Sequence, residues 1–163
     1  YARAYLHVMR GLVLAGRAEV FAFATHLTRI TPALRHRAPD VAIARATATV
    51  GDRFGGTRLA TSVGQLLRDA THASQARGGV VVIVSDGCDT DPSDELASRM
   101  ARLHRVAHRV VWVNPRFAAP GYEPLVAGMA AALPFCDRVL PGHSLDAIDD
   151  VVEAIVGDAP VRA

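Results

Sequence analysis

The sequence predicts a doubly wound α/β domain, a mostly parallel sheet with helices on both faces. Three observations predict it. The runs "GVVVIVS" (79–85) and "HRVVWVNP" (108–115) are continuously apolar, as strands covered on both faces are. Segments with apolar residues at three- and four-residue spacing alternate with these runs. The connections between them are short and rich in Gly, Pro, Asp and Ser, as turns are.

In chain order, "ARAYLHVMRGLVLAG" (2–16) places Leu6, Met9, Leu12 and Val13 on one helical face and stops at Gly16. "AEVFAFAT" (18–25) reads as a short strand. "TRITPALR" (28–35) alternates weakly, and Pro32 makes it an edge strand or the end of one. "PDVAIARATATV" (39–50) predicts a short helix capped by Asp40. After the turn-rich "GDRFGGT" (51–57), "RLATSVGQLLRDATHAS" (58–74) predicts one strong helix with Leu59, Val63, Leu66, Leu67 and Ala70 on its apolar face. The buried strand at 79–85 follows. A helix over 93–107 has Ser93 as its N-cap, and the strand at 108–115 ends at Pro115. "YEPLVAGMAAAL" (122–133) is a helix and "CDRVLP" (136–141) a short strand. The final helix, over 144–157, has Ser144 as N-cap and Gly157 as its stop.

At 163 residues the chain suits one domain, 1–163, with a real core. No apolar run is long enough to span a membrane and no signal peptide is visible, which points to the cytoplasm. All 18 basic residues are Arg, as GC-rich bacterial coding favours, so chemistry that needs a lysine amine is excluded. Residues 1–77 carry a net +7 and residues 78–163 a net −5. The arginines are scattered over several elements, which reads as solvated surface and not as a nucleic-acid face. Cys88 and Cys136 form no spaced framework for disulfides or zinc.

Sheets of this class place ligands outside the carboxyl ends of their strands, and Asp86 stands at such an end. "GDRFGGTR" approaches phosphate-loop spacing but lacks the lysine and the preceding buried strand. "SDGCDTD" resembles a phosphoaspartyl strand end with Cys88 where a second acid should stand, so the nucleophile and acid pair is not formed. Cys88, beside carboxylates, is expected to be a semi-buried residue with a raised thiol pKa. Asp89, Asp91 and Asp94 read as a solvated turn before a helix. His104 and His108 are four apart but straddle a helix end with no Glu between them, and His143 lies in a loop. Thr57, after Gly55 and Gly56, and Asp86 remain. Two oxygen groups of this kind can converge on a hard cation such as Mg²⁺. Equally, Thr57 can cap the helix starting at Arg58 while Asp86 caps a turn.

The order "AEVFAFATHLTRITPAL", "FGGTRLATSVGQLL", "GGVVVIVSDGCD", "MARLHRVAHRVVWVNP", "PGYEPLVAGMAAALPFCDRVLPGHSL" resembles the von Willebrand factor A (VWA) domain of the CoxE-like family over almost the whole chain. The resemblance implies a Rossmann-like VWA fold with a metal-ion-dependent adhesion site (MIDAS) at its carboxyl-end face. In the family that site has a D-x-S-x-S loop after the first strand, a Thr in a second loop and an Asp in a third. Thr57 matches the second and Asp86 the third; the first has no counterpart in this sequence. The implied strand order, 3-2-1-4-5-6, puts the strand ahead of that loop at the centre, between "EVFAFAT" and "VVVIVS". The chain is therefore expected to be an N-terminally incomplete VWA domain lacking its first, central strand. A gap or a direct pairing should then stand where that strand belongs, and binding of Mg²⁺ (or Mn²⁺) should be weak. The resemblance further implies a non-enzymatic adaptor, working with a MoxR-type AAA+ ATPase in maturation of a client metalloenzyme such as aerobic carbon monoxide dehydrogenase. An Asp86-dependent hydrolase or phosphatase and a metal-free VWA scaffold are the competing readings.

Overall fold

A computed structural model of the chain describes residues 2–16, 18–50, 56–116, 127–143 and 145–156. Helix α1 (Ala2–Leu14) buries Tyr5 and Val13 and ends before Gly16, whose φ of +69° suits a residue without Cβ. Strands β1 (Phe21–Phe23) and β2 (Leu27–Arg29) form an antiparallel pair, Phe21 opposite Arg29 and Phe23 opposite Leu27. Pro32 then turns the chain into the short α2 (Thr31–Leu34), so the segment at 28–35 is both a strand end and a helical turn. Helix α3 (Pro39–Thr49) has Ala38 at its N-cap position, not the expected Asp40. Asp40 instead lies in the first turn, where its carboxylate meets the helix dipole and pairs with Arg3 at 2.7 Å.

The stretch expected as one helix over 58–74 is two, α4 (Leu59–Arg68) and α5 (Ala70–Ala76). Asp69 divides them: its backbone is extended and its side chain accepts the His72 N–H, capping α5. The remaining elements are β3 (Val80–Val84), α6 (Ser93–Val106), β4 (Arg109–Asn114), α7 (Ala127–Ala132) with a 3₁₀ turn at Leu133–Phe135, β5 (Arg138–Pro141) and α8 (Leu145–Val156). Pro92, not Ser93, holds the N-cap position of α6, and Ser93 opens the helix itself. The expected roles of Ser144 and Gly157, the start of the helix expected at 122 and Gly55 lie outside the described residues.

Strands β3, β4 and β5 form a parallel sheet in that order, with Val82 beside Val111 and Val113 beside Leu140. Because side chains alternate along a strand, β4 feeds two cores. Val110 and Trp112 join Leu59, Leu96, Met100 and Leu103 from α4 and α6. Val111 and Val113 join Tyr5 of α1 and Val151 and Ala154 of α8 on the opposite face. A third cluster, with Val13, Val20, Ile30, Leu34 and Ile43, packs α1, α2 and α3 around the β1–β2 pair. The chain is thus an α/β fold with helices on both faces of a parallel sheet.

One expectation about β3 fails. Its apolar run reads as a strand buried on both faces, yet only Ile83 is buried while the four valines are partly exposed. The reason is position: β3 pairs with β4 on one side only. Among the described residues β1 and β3 are not hydrogen-bonded to each other, and a cavity of about 630 Å³ lies between them, lined by Phe21, Phe23, Val82 and Val84.

Trp112 links this core to the end of β3. It is fully buried, and its indole N–H donates to the Ser85 carbonyl at 2.9 Å. Trp112→Phe is expected to cost about 2 kcal/mol, since it strands a buried carbonyl and removes ring volume. A shift of the urea midpoint measures it.

Candidate functional site

The site grows from the carboxyl ends of β3 and β4. Ser85 is pinned there: its N–H donates to Val113 O at 3.0 Å, and its hydroxyl oxygen accepts the Gly87 N–H at 3.1 Å. Gly87 has φ +85°, and a Cβ on it would stand 2.7 Å from Cβ of Met129 on α7. Asp86 is therefore held between a fixed residue and one wedged under a helix. Its Oδ1 accepts the Cys88 N–H at 3.1 Å and its Oδ2 lies 3.6 Å from the Arg116 guanidinium. The Asp86 side chain keeps 29% of its surface exposed, so it is reachable from solvent.

Thr57 comes to the same end of the sheet on the loop before α4. Its carbonyl accepts both the N–H and the hydroxyl of Thr90, each at 2.8 Å. That approach needs Gly56, whose φ is +77° and whose Cβ, if present, would lie 2.9 Å from the Thr90 methyl. Thr57 is not the cap of α4, because Arg58 holds the N-cap position and makes no side-chain cap bond.

The capping comes from the β3–α6 loop. Asp89 Oδ1 accepts the Leu59 N–H and the Asp91 N–H, both at 3.0 Å. Asp91 Oδ2 accepts the Thr61 N–H at 2.7 Å and its Oδ1 the Arg58 Nε–H at 2.8 Å. The two loops that carry Thr57 and Asp86 are thus tied to each other through Thr90, Asp89 and Asp91.

This corrects the sequence expectation for the acids. Asp91 was expected in a solvated turn, yet its side chain is only 1% exposed. Burial alone would raise its pKa, but the Thr61 hydrogen bonds and Arg58 outweigh that and hold the carboxyl below its ordinary value. Only Asp94, exposed in the first turn of α6, plays the expected part. The helix that Asp89 and Asp91 serve begins thirty residues upstream of them, so no local spacing signals the pairing.

Cys88 is exposed and not semi-buried. Exposed as the residue is, desolvation of its sulfur by the surrounding loop and the adjacent Asp86 carboxylate push its thiol pKa up, which disfavours a nucleophilic role. His104 pairs with Asp137 at 3.6 Å, while His108 is exposed beyond the end of α6. The Nδ1 of His143 is buried without a hydrogen-bond partner among the described residues. Among those residues no three His, Cys, Asp or Glu side chains gather as a metal-holding group.

The pair singled out in the sequence, the Thr57 hydroxyl and the Asp86 carboxylate, lies on two loops joined through Thr90. Their hard oxygens suit Mg²⁺ or Mn²⁺, and two such groups supply part of a coordination shell but do not close one. One further oxygen, Asp89 Oδ2, is buried without a hydrogen-bond partner among the described residues.

Compared with known families, the chain matches the one described as VWA domain containing CoxE-like protein, over residues 1–148. No curated protein and no solved structure matches it.

Proposed function

The chain belongs to the CoxE-like VWA family, and on that premise we propose that it is a metal-dependent protein-interaction module, one domain over residues 1–163. Domains of this family are interaction modules, and the match is to no catalytic family. In the proposed site Thr57 contributes a hydroxyl oxygen directly to Mg²⁺ or Mn²⁺, and Asp86 holds the ion from the adjoining loop. When bound, the ion supplies an open coordination position that a partner's carboxylate fills. The chain's own residues do the rest: Thr90, Asp89 and Asp91 lock the two loops together, and Ser85 and Gly87 fix the reach of Asp86. The observation that carries this reading is the direct joining of the Thr57 and Asp86 loops through the Thr57 carbonyl and Thr90.

The proposed partner is a MoxR-type AAA+ ATPase. The proposed outcome is maturation of a metalloenzyme in the cytoplasm, with aerobic carbon monoxide dehydrogenase as one such client. Among the described residues no helix is long and apolar enough to cross a membrane. The test is retention of the purified chain on an immobilised MoxR-type ATPase in millimolar Mg²⁺, with and without chelator. Thr57→Ala and Asp86→Ala are each expected to cut retention about tenfold, roughly 1.4 kcal/mol, with unchanged circular dichroism. Retention that survives both substitutions and the chelator refutes the metal reading. One observation favours a second reading, a metal-free scaffold: Arg116 already brings a positive charge to Asp86. That reading predicts partner binding indifferent to chelator and weakened by Arg116→Ala.

A further inference from the structure

We propose that the seam between α4 and α6 is a docking surface for a short acidic segment of a partner protein, gripped by Arg68, Arg99, Arg102 and Arg105. The proposal rests on this seam and not on the metal reading. In the sequence these arginines belong to two separate stretches, and the fold brings them together. Helix α4 starts against the β3–α6 loop, where Asp89 and Asp91 accept the Leu59 and Thr61 N–H groups, and α6 starts at the end of that same loop. The two helices run side by side from there, and Gly64 in the middle of α4 lies against Arg99 in the middle of α6. The absent Cβ of Gly64 is what admits two guanidinium groups: Arg68 Nη1 and Arg99 Nε each stand 3.3 Å from the place it would fill. These nitrogens are thus no further apart than twice that distance, a like-charge approach that costs free energy unless anions accompany it. Glu95 pairs with Arg99 at 3.2 Å, one carboxylate beside two guanidinium groups. Arg99 Nε is buried without a hydrogen-bond partner among the described residues, while the side chain as a whole keeps 32% of its surface exposed.

Arg102 and Arg105 follow Arg99 at three-residue spacing, at which side chains on a helix are neighbours. Both are exposed, as is Arg68, and among the described residues none of the three has an ion-pair partner. Arg77 extends the surface: the Gly78 N–H donates to the Val106 carbonyl at 2.9 Å, which sets Arg77 beside the end of α6. The helix dipole accounts for Arg68 and Arg105, which stand in the last turns of their helices. It does not account for Arg99 and Arg102, which stand further in, or for the approach of Arg99 to Arg68. The occupant follows from size and charge. From Arg99 to Arg105 the stripe runs about 9 Å, the length of roughly three residues of extended chain. A guanidinium fork matches a carboxylate through paired N–H donors. Phosphate suits the same fork, but Asp94 and Glu95 open α6, and a phosphate backbone continuing along the helix would meet their charge. Neither helix carries Phe, Tyr or Trp, on which nucleic-acid bases stack. A short run of carboxylates that stops before Asp94 fits both limits.

The test measures binding of a fluorescein-labelled Glu/Gly/Ser peptide to the full chain by fluorescence anisotropy, against the same peptide with Gln in place of Glu. The expected result is low-salt binding of the Glu peptide only, weakened on raising NaCl to about 150 mM. Arg68→Gln combined with Arg102→Gln is expected to weaken that binding about tenfold. Arg37→Gln combined with Arg45→Gln removes the same charge from exposed positions elsewhere, and should leave the affinity within about twofold of wild type. All four side chains are exposed, so each double variant should keep the wild-type circular dichroism. Equal losses in the two double variants overturn the proposal, because net charge alone would then hold the peptide. So does a Glu peptide that binds no better than the Gln peptide. A single-stranded oligonucleotide of equal charge that binds more tightly, and loses that binding through Arg68→Gln with Arg102→Gln, refutes the assignment to polypeptide.

Discussion

Asp91→Ala is expected to lower the stability of the chain by about 3 kcal/mol, more than a hundredfold in the unfolding equilibrium. The carboxylate sits 1% exposed and serves two elements, accepting the Thr61 N–H in the first turn of α4 and the Nε–H of Arg58. Its removal leaves a helix N-terminal donor without a partner and a small void under the loop. The Arg58 end of the pair is half in solvent and rehydrates, so the loss comes from the helix end and not from the ion pair. Asp91→Asn, which keeps an acceptor for one of the two donors, is expected to cost about 1 kcal/mol. The effect depends on pH with a fixed sign. The folded-state pKa lies below the unfolded value of about 3.9, so this stabilisation is complete at neutral pH. It is lost as the pH falls below about 4 and through the folded-state value. Urea titrations at pH 7 and pH 3 check both points: the wild type should converge toward Asp91→Ala at the lower pH. A constant difference between them would refute the assignment.

The same acid shows where sequence reading stops. The helices α1, α6 and α8 and the strands β3, β4 and β5 are legible because period and turn chemistry are local properties of the chain. So is the end position of Asp86, since a run of β-formers closed by Ser-Asp-Gly has one plausible reading. The break between α4 and α5 was also present in the sequence, in Asp69, but apolar spacing across it suggested continuity and capping chemistry prevailed. The burial of Asp91 was not legible at all. Acids just ahead of a helix ordinarily serve that helix, and here they serve α4 instead, a tertiary fact. The partial exposure of β3 has a similar origin. Nothing in "VVVIV" distinguishes a strand paired on both edges from one paired on one, because a strand's neighbours are set by residues elsewhere.

Gly128→Ala is expected to destabilise the chain by about 2 kcal/mol, although alanine is the better helix former by about 1 kcal/mol. A Cβ at residue 128 would stand 2.5 Å from the carbonyl oxygen of Gly87 and 3.1 Å from Cβ of Asp89. The first of these is backbone and cannot rotate aside, so either α7 or the loop after β3 must move. Gly11→Ala is the matching control. It lies inside α1 with nothing within 4 Å of its absent Cβ, so the same replacement there is expected to stabilise by about 0.5 kcal/mol. The opposite signs separate the overlap from helix propensity, and urea midpoints for the two variants measure both. The loop that must yield at residue 128 is the one that carries Asp86 and caps α4 through Asp89 and Asp91. Any displacement of it reaches the proposed cation position and the first turn of α4 together. If the proposed function holds, Gly128→Ala should therefore weaken Mg²⁺-dependent retention on the proposed ATPase partner as well as stability, whereas Gly11→Ala should leave retention untouched. A Gly128→Ala chain with wild-type stability would mean that α7 slides freely over the loop, and the positioning assigned to the Gly87 contact would fall with it.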